Sequence, residues 1–273
     1  MATGATASSP GPTNSRPGRS TRVSTSLAVA IMAAGKGTRM NNPDMAKVMF
    51  LINGKPMVEH VVELALKLEA QRVVVIVGWQ KDSVINHLKK YTNRNVECVE
   101  QNPQCGTGHA VMQAEGAFRK FDGDVLVLSG DVPMLTYETA ASLIELHHST
   151  AARATVLTAV LDDATGYGRI LRNTDGSVLG IVEHKDATPE QLEIREINSG
   201  IYVFDATLLF ESLKHITPTN AQKEYYLTDV FHYFWLHQYK VSAIVAGNPL
   251  EIQGINTVDQ LEAARELMQK SGS

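Results

Sequence analysis

A glycine-rich segment near the start of the chain carries residues whose types and spacing suit the binding of a polyphosphate. It reads AAGKGTRM, residues 33–40, and directly follows the apolar run LAVAIM. Gly35 and Gly37 let backbone N–H groups approach phosphate oxygens closely, while Lys36 and Arg39 add cationic donors. Because short glycine turns after strands are often only turns, the segment by itself supports a polyphosphate site as a hypothesis.

Two familiar nucleotide-binding signatures do not match this segment. A dinucleotide fold requires G-x-G-x-x-G, and Met40 stands where the third glycine would be. A Walker loop requires G-K-S/T after four intervening residues, and no such sequence follows Gly35. The segment therefore fits neither of these classes of phosphate-binding loop.

Two polar residues outside the loop are candidates for contacts with a ligand. Asp131 follows the apolar run LVLSG, and ligands of α/β sheets bind outside the carboxyl ends of the strands. Asn256 stands just before a predicted terminal helix, and asparagine is a preferred helix N-cap. From the residues alone, a helix N-cap is the favoured role for Asn256.

These residues must be positioned by an α/β fold, because strand-like apolar runs alternate with amphipathic helical stretches. Such alternation is typical of βαβ units and of a three-layer, Rossmann-like architecture around a mostly parallel sheet. Beyond residue 150, shorter strand candidates separated by turn-forming residues predict β-hairpins added to this sheet. The predicted strands are 27–32, 72–79, 95–100, 124–131, 154–162, 168–172, 177–185, 198–206 and strands around 240–253, and the predicted helices are 57–70, 81–91, 107–121, 206–213, 224–237 and 257–270.

The composition argues against several classes of protein. The chain has 25 Lys and Arg against 29 Asp and Glu and no basic stripe, so no nucleic-acid partner is expected. No apolar run reaches the roughly 18 residues of a membrane-spanning helix, so no membrane association is expected. Cys98 and Cys105 are too few for a disulfide scaffold and lack zinc-site spacing, which fits a reducing, cytoplasmic location.

The domain organisation predicted from composition has three parts. Residues 1–26 are rich in small and polar residues and contain no acid, so we expect a disordered tail. The same composition is typical of an organelle transit peptide, but no amphipathic helical face is visible, so a dispensable tail or a misplaced start codon is favoured. Residues 27–256 form the expected main domain, and 257–273 the C-terminal helix.

Nine ordered motifs resemble those of the sugar-1-phosphate nucleotidyltransferases, in which an A-A-G-x-G-T-R-M loop is followed by a lysine, here Lys47. Within this family the chain is most similar to the N-terminal uridylyltransferase domain of the bacterial bifunctional enzymes that make UDP-N-acetylglucosamine. The resemblance runs from about Leu27 to Leu261. Besides the loop, its motifs are GKPMVEHV, QNPQCGTGHAV, SGDVP, TGYGRI, GIVEHKDAT, EINSGIYVF, QKEYYLTD and GIN.

The resemblance implies the nucleotide-diphospho-sugar transferase fold and a specific reaction. UTP and N-acetylglucosamine 1-phosphate would be the small-molecule substrates, and UDP-N-acetylglucosamine and pyrophosphate the products. Attack at the α-phosphorus would be in line and would require no general base, because a phosphate monoester with a second pKa of about 6 is largely dianionic at pH 7. Catalysis would then consist mainly of positioning and charge neutralisation.

The same resemblance implies roles for individual residues. Arg39 and Lys47 would be catalytic, and Gln101 would read the edge of the uracil. Mg²⁺ is the implied cofactor, with Asp131 and Asn256 as its ligands, which reverses the preference for a cap role. Nucleotide binding falls to Ala33, Ala34, Gly35, Gly37, Thr38, Gln101, Gly106 and Thr107, and sugar binding to Gly168, Glu183 and Asn198. Lys185 is either a further phosphate contact or a solvated lysine.

The sequence departs from the family pattern at two places. Ala46 stands where the family usually has a proline before the lysine, so we expect a less preorganised Lys47 and some loss of rate. The bifunctional relatives continue into an acetyltransferase domain, whereas this sequence ends at Ser273, so no acetyltransferase activity is expected and the oligomeric state is left open.

Two alternatives compete with this interpretation. One is a transferase of the same fold that uses another nucleotide or another sugar 1-phosphate. The other is a catalytically idle sensor of nucleotide sugars. The presence of Arg39, Lys47, Asp131 and Asn256 argues against an idle domain, which would have no need of these groups.

Overall fold

A nine-stranded sheet forms the centre of the computed structural model, which describes residues 26–40, 42 and 44–271. Two further strands, the second and third, pair as a small separate hairpin. The predicted tail lies outside the described residues, apart from Ser26. In chain order the strands are β1 Leu27–Ala33, β2 Leu51–Ile52, β3 Lys55–Pro56, β4 Arg72–Val77, β5 Val96–Glu100, β6 Asp124–Ser129, β7 Ala154–Val160, β8 Arg169–Arg172, β9 Val178–Val182, β10 Glu196–Asp205 and β11 Val241–Val245.

The sheet combines a parallel half with a mixed half, in the order β11-β7-β10-β6-β1-β4-β5. Strands β6, β1, β4 and β5 pair in parallel, whereas β10 runs antiparallel between β6 and β7. The hairpin β8–β9 is attached through a pairing of β8 with β10. This topology confirms the predicted mostly parallel sheet with added hairpins.

Helices cover both faces of the sheet, so the architecture has the three predicted layers. The helices are α1 Met57–Lys67, α2 Lys81–Leu88, α3 Thr107–Gln113, α4 Tyr137–Ser149, α5 Pro189–Leu192, α6 Ala206–Ser212, α7 Val230–Leu236 and α8 Val258–Ser271. Helices α1, α2 and α4 bury apolar side chains in one core with Val29 and Ile31 of β1. Helices α3, α6 and α7 pack in a second core with Ala28 and Ala30 of the same strand. Successive residues of a strand point to opposite faces, so the two cores lie on opposite sides of the sheet.

Several predicted boundaries were wrong. Helix α1 ends at Lys67 rather than residue 70, because Glu69 takes a φ of 57°, outside the helical region. Helix α3 ends at Gln113 rather than residue 121, and the chain continues in turns. The final turns of the stretch 81–91 are 3-10 rather than α-helical. Helix α4 and the hairpin β2–β3 were not predicted at all.

Helix α8 belongs to a third, smaller core at the edge of the sheet that contains the glycine-rich loop. Its Leu261 and Ala264 are buried together with Met40 of that loop, with Ile52 of β2 and with Met57 of α1. The terminal helix therefore packs directly behind the predicted polyphosphate site.

None of the helices in the described part of the chain is both long and apolar enough to cross a membrane.

Candidate active site

The glycine-rich loop leaves β1 at the carboxyl edge of the parallel strands and folds against Lys47. Gly37 has a φ of 60°, and a Cβ atom added there would collide with the Cβ of Lys47. The N–H of Met40 donates to the carbonyl of Gly37 at 2.9 Å and closes a 3-10 turn. A glycine is needed at position 37 because the backbone must both turn and admit the lysine.

Three predicted site residues from separate segments gather at the Lys47 ammonium group. Lys47 Nζ forms a salt bridge with the carboxylate of Asp131 and donates to Oδ1 of Asn256 at 3.0 Å. Arg39 also donates to Oδ1 of Asn256, again at 3.0 Å. The side chains of Lys47 and Asp131 are only 13% and 18% exposed, so these charges interact in a partly desolvated environment.

Backbone hydrogen bonds fix the separation of Asp131 and Asn256. Gly130, just after β6, donates its N–H to Met32 at 2.9 Å and so holds the segment against β1. The carbonyl of Asp131 accepts from the N–H of Ile255 at 2.9 Å. The two candidate metal ligands are therefore held next to each other although they lie far apart in the sequence.

Asn256 is not the N-cap of helix α8, which corrects the role favoured from residue type alone. Thr257 is the cap, since its hydroxyl accepts from the N–H of Gln260 at 3.2 Å and Gln260 Oε1 accepts from the Thr257 N–H at 3.1 Å. The Asn256 side chain instead faces Arg39 and Lys47, while its Nδ2 donates to Gly254 at 3.1 Å. The amide oxygen is thereby directed into the site.

Ala46 already has the backbone conformation that the family's proline would impose. Its φ is −60°, its side chain is 1% exposed, and its N–H makes no hydrogen bond that the described residues show. Proline fixes φ near −65°. Packing therefore holds the residue before Lys47 in place, and the expected loosening of the lysine is not visible in the backbone.

The predicted base-binding residues form a loop that is clamped against residues 224–227. Gln101 is 3% exposed, and its Nε2 donates to the carbonyl of Gly106 at 2.9 Å. Gly106 has a φ of 107°, and a Cβ there would lie 2.6 Å from the carbonyl oxygen of Tyr225. Thr107 Oγ1 accepts from the N–H of Leu227 at 3.0 Å. Gln101 is thus a buried, fixed side chain rather than a solvated loop residue.

The three predicted sugar-binding residues also lie together. The N–H of Asn198 donates to the carbonyl of Gly168 at 2.9 Å, and a Cβ at Gly168 would lie 3.4 Å from Glu183 Oε2. Burial, reinforced by the nearby charge of Asp186, raises the pKa of Glu183, although a 2.9 Å hydrogen bond from Thr228 opposes this. The Asn198 Nδ2 donates to the hydroxyl of Tyr202 at 2.7 Å.

A cavity of about 750 Å³ lies between β9 and α7, and Glu183, Asp186, Thr228 and Asp229 help to line it. Burial, together with the charges of Glu183 and Asp186, raises the pKa of Asp229 to about 6. Thr228 and Asp229 belong to the motif QKEYYLTD, but the sequence assigns neither residue a role, because residue type alone does not show which side chains line a cavity. Lys185 lies nearby and donates to Gln222 at 2.6 Å.

The chain is similar to known proteins in sequence and in fold. The Nucleotidyl transferase family model matches residues 28–248. The bifunctional protein GlmU of Exiguobacterium sibiricum is 48% identical over 240 residues, which are 88% of this chain and 52% of that protein. The GlmU of Geobacillus thermodenitrificans is 45% identical over 238 residues, or 87% of this chain and 51% of that protein. The chain therefore spans about half the length of the curated relatives it matches.

A solved structure shows the same fold at low sequence identity. A UDP-glucose pyrophosphorylase complexed with UDP-glucose superposes with a TM-score of 0.69 at 19% identity, covering 90% of this chain and all of that one. At this identity the likeness concerns the fold alone.

Proposed function

Because the chain belongs to the nucleotidyl transferase family, we propose that it transfers a uridylyl group from UTP to N-acetylglucosamine 1-phosphate and releases pyrophosphate. The observation that carries the proposal is the convergence of Arg39, Lys47, Asp131 and Asn256 beside the glycine-rich loop. The choice of substrates follows the resemblance to the uridylyltransferase domain that makes UDP-N-acetylglucosamine, and relatives called bifunctional protein GlmU support it.

Two cationic side chains supply the charge neutralisation that this reaction needs. The attacking phosphate arrives as a dianion and must approach a triphosphate that is itself strongly negative. Arg39 and Lys47 would offset this repulsion and the charge that develops on the departing pyrophosphate. Lys47 would exchange part of its contact with Asp131 for contacts with phosphate oxygens when the nucleotide binds.

Asp131 and Asn256 would hold Mg²⁺. The Asp131 carboxylate and the Asn256 amide oxygen both contact the Lys47 ammonium group, so they already converge on one positive charge. Mg²⁺ prefers hard oxygen ligands of this kind. Among the described residues no group of three or more His, Cys, Asp or Glu could hold a metal. Two protein oxygens would suffice here, because Mg²⁺ usually keeps several oxygens from water and substrate phosphates. When bound, the ion would neutralise charge on the phosphates.

The nucleotide and the sugar would bind at separate places in the site. Ala33, Ala34, Gly35, Gly37 and Thr38 would wrap the triphosphate with backbone N–H groups. Gln101 uses its Nε2 to hold Gly106, which leaves its Oε1 to accept from the N3–H of uracil. Gly106 and Thr107 would close over the base and ribose, while Gly168, Glu183 and Asn198 would bind the sugar.

The unpaired Cys98 and Cys105 fit a cytoplasmic location, which we also propose.

A pyrophosphate-release assay tests the proposal. The protein is incubated with Mg²⁺, UTP and N-acetylglucosamine 1-phosphate, and in parallel with glucose 1-phosphate and with the other nucleoside triphosphates. The highest kcat/KM is expected for UTP with N-acetylglucosamine 1-phosphate. A higher value for another pair would replace the substrates, and no release with any pair would contradict transferase activity altogether.

A further inference from the structure

Trp79 follows a backbone position that contacts both the glycine-rich loop, residues 33–40, and the loop around Gln104, which together form the proposed nucleotide site. Its N–H donates to the carbonyl of Ala34 in the glycine-rich loop at 3.2 Å. The preceding Gly78 has no room for a side chain, because a Cβ there would lie 2.6 Å from the side-chain nitrogen of Gln104 and 2.8 Å from the Ala34 oxygen. The backbone therefore holds the start of the Trp79 side chain in a defined place beside the loop.

The indole ring of Trp79 lies under the side chain of Lys36, the first cation of the loop. Lys36 Nζ is 5.6 Å from the ring centroid, within the range of a cation–π contact. Trp79 is 37% exposed, so one part of its ring faces solvent at the mouth of the loop. The face of an aromatic ring is the negative part of its quadrupole, so it attracts the Lys36 ammonium group.

We propose that Trp79 is a positioning residue that holds the Lys36 ammonium group at the mouth of the glycine-rich loop, ready to meet the phosphates of the nucleotide. The ammonium group would lie between the ring face and a phosphate oxygen and would keep both contacts. A lysine that is already oriented loses less side-chain freedom on binding than a freely moving one. This inference rests on the proposed function, because it assumes that a triphosphate binds this loop.

The expected effect concerns binding rather than the chemical step. Because the ring contact is present before and after binding, it raises affinity only through the ordering of Lys36 that it provides in the free protein. A contact of about 0.5 to 1 kcal/mol limits this gain to about two- to fivefold in affinity. Trp79→Leu should therefore raise the Kd and the KM for UTP by about two- to fivefold and change kcat little. Trp79→Phe, which keeps an aromatic face, should restore most of the affinity.

A double-mutant cycle separates positioning of Lys36 from any other role of the ring. Kd values for UTP and for inorganic tripolyphosphate are measured by calorimetry for wild type, Trp79→Leu, Lys36→Met and the double variant. If Trp79 acts through Lys36, then Trp79→Leu has no further effect in the Lys36→Met background, and both ligands are weakened equally. Trp235→Leu, which changes the other tryptophan at a 48% exposed position on α7, is the matched control and should leave both Kd values unchanged.

The opposite results would overturn the inference. Additive effects of the two substitutions, or weaker binding of UTP with unchanged binding of tripolyphosphate, would mean that the ring acts without Lys36, for example by stacking on the base. Absence of triphosphate binding to the wild type would overturn it as well. These binding measurements require no turnover. If the protein binds UTP but releases no pyrophosphate, the proposed reaction is contradicted, and the role of Trp79 can still be tested. Thermal unfolding checks that each variant is folded.

Discussion

At the scale of single residues, Lys47 joins three segments of the candidate site. Its ammonium group contacts Asp131 and Asn256, and its side chain packs against the glycine loop at Gly37. The sequence suggests a role for each of these residues, mostly through the resemblance to a family. Their contacts are not readable from the sequence, because Lys47 and Asn256 are 209 positions apart.

We predict that Lys47→Ala and Asp131→Ala each lower kcat by at least about a hundredfold, the scale of losing one preorganised charge-stabilising group. The measurement is pyrophosphate release under saturating substrates. Lys55→Ala is the control, since Lys55 is a 46% exposed lysine paired with Glu63. Near-normal turnover of either folded site variant would remove that residue from the mechanism.

Ala46 supports a second prediction at this scale, because its φ of −60° suits proline. Ala46→Pro should raise the free energy of unfolding by about 0.4 to 1 kcal/mol through a more restricted unfolded chain. Turnover should stay at or above that of the wild type. Ala46→Gly should do the reverse in both respects. Urea unfolding and kcat measurements check the pair, and a destabilised proline variant would show that the ring does not fit the pocket around residue 46.

At the scale of elements, the long apolar strands were predictable and the small elements were not. Strands β1, β4 and β6 are buried on both faces and therefore appear as continuous apolar runs. Helix α4 was missed because its buried positions include an alanine and a histidine, Ala140 and His147, which dilute the apolar periodicity. The two-residue strands β2 and β3 are too short to produce any pattern.

Helix α1 is joined to the α2 region by a buried carboxylate, Glu59. Burial alone would raise the pKa of Glu59, but hydrogen bonds from Lys90, His87 and Tyr91 lower it to about 2. A carboxylate with a lowered pKa stabilises the fold above its unfolded-state pKa of 4.5. This contribution, about 3 kcal/mol at most, is lost as the pH falls from 4.5 towards 2.

We therefore predict that Glu59→Gln lowers the free energy of unfolding at pH 7 and that its difference from wild type shrinks steadily below pH 4.5. Urea unfolding of both proteins from pH 3 to pH 7 measures this difference. Glu138→Gln, at an exposed position of α4, should produce no comparable pH-dependent difference. A gap between Glu59→Gln and wild type that stays constant over this range would show that the carboxylate charge is not responsible.

At the scale of the whole molecule, the alternation of strands and helices in the sequence predicts the three-layer α/β architecture. It does not predict that helix α8 packs behind the glycine-rich loop. The antiparallel insertion of β10 between β6 and β7 is also not visible in sequence order. Helix α8 was predicted, but its packing against Met40 and Met57 depends on contacts between opposite ends of the chain. Long-range contacts of this kind have no local signal in the sequence.

The third core gives a prediction that links stability to substrate binding. Leu261→Ala should lower the free energy of unfolding by about 2 to 5 kcal/mol, because the side chain is 3% exposed among Met40, Ile52 and Met57. It should also raise the KM for UTP, since the same core holds the glycine loop. Val258→Ala, at a 42% exposed position of α8, is the control. A stability loss without any change in KM would show that α8 supports the fold but not the loop.

The hydrogen bond between Arg39 and Asn256 joins residues 217 positions apart, so a ribosome adds the two sides of the site at different times. At 5 to 20 residues per second, the asparagine is translated about 10 to 40 s after the glycine loop that it faces. A nascent chain therefore carries the loop long before it has the amide and the terminal helix that complete it. The growing polypeptide therefore gains a complete site only after Asn256 has been added.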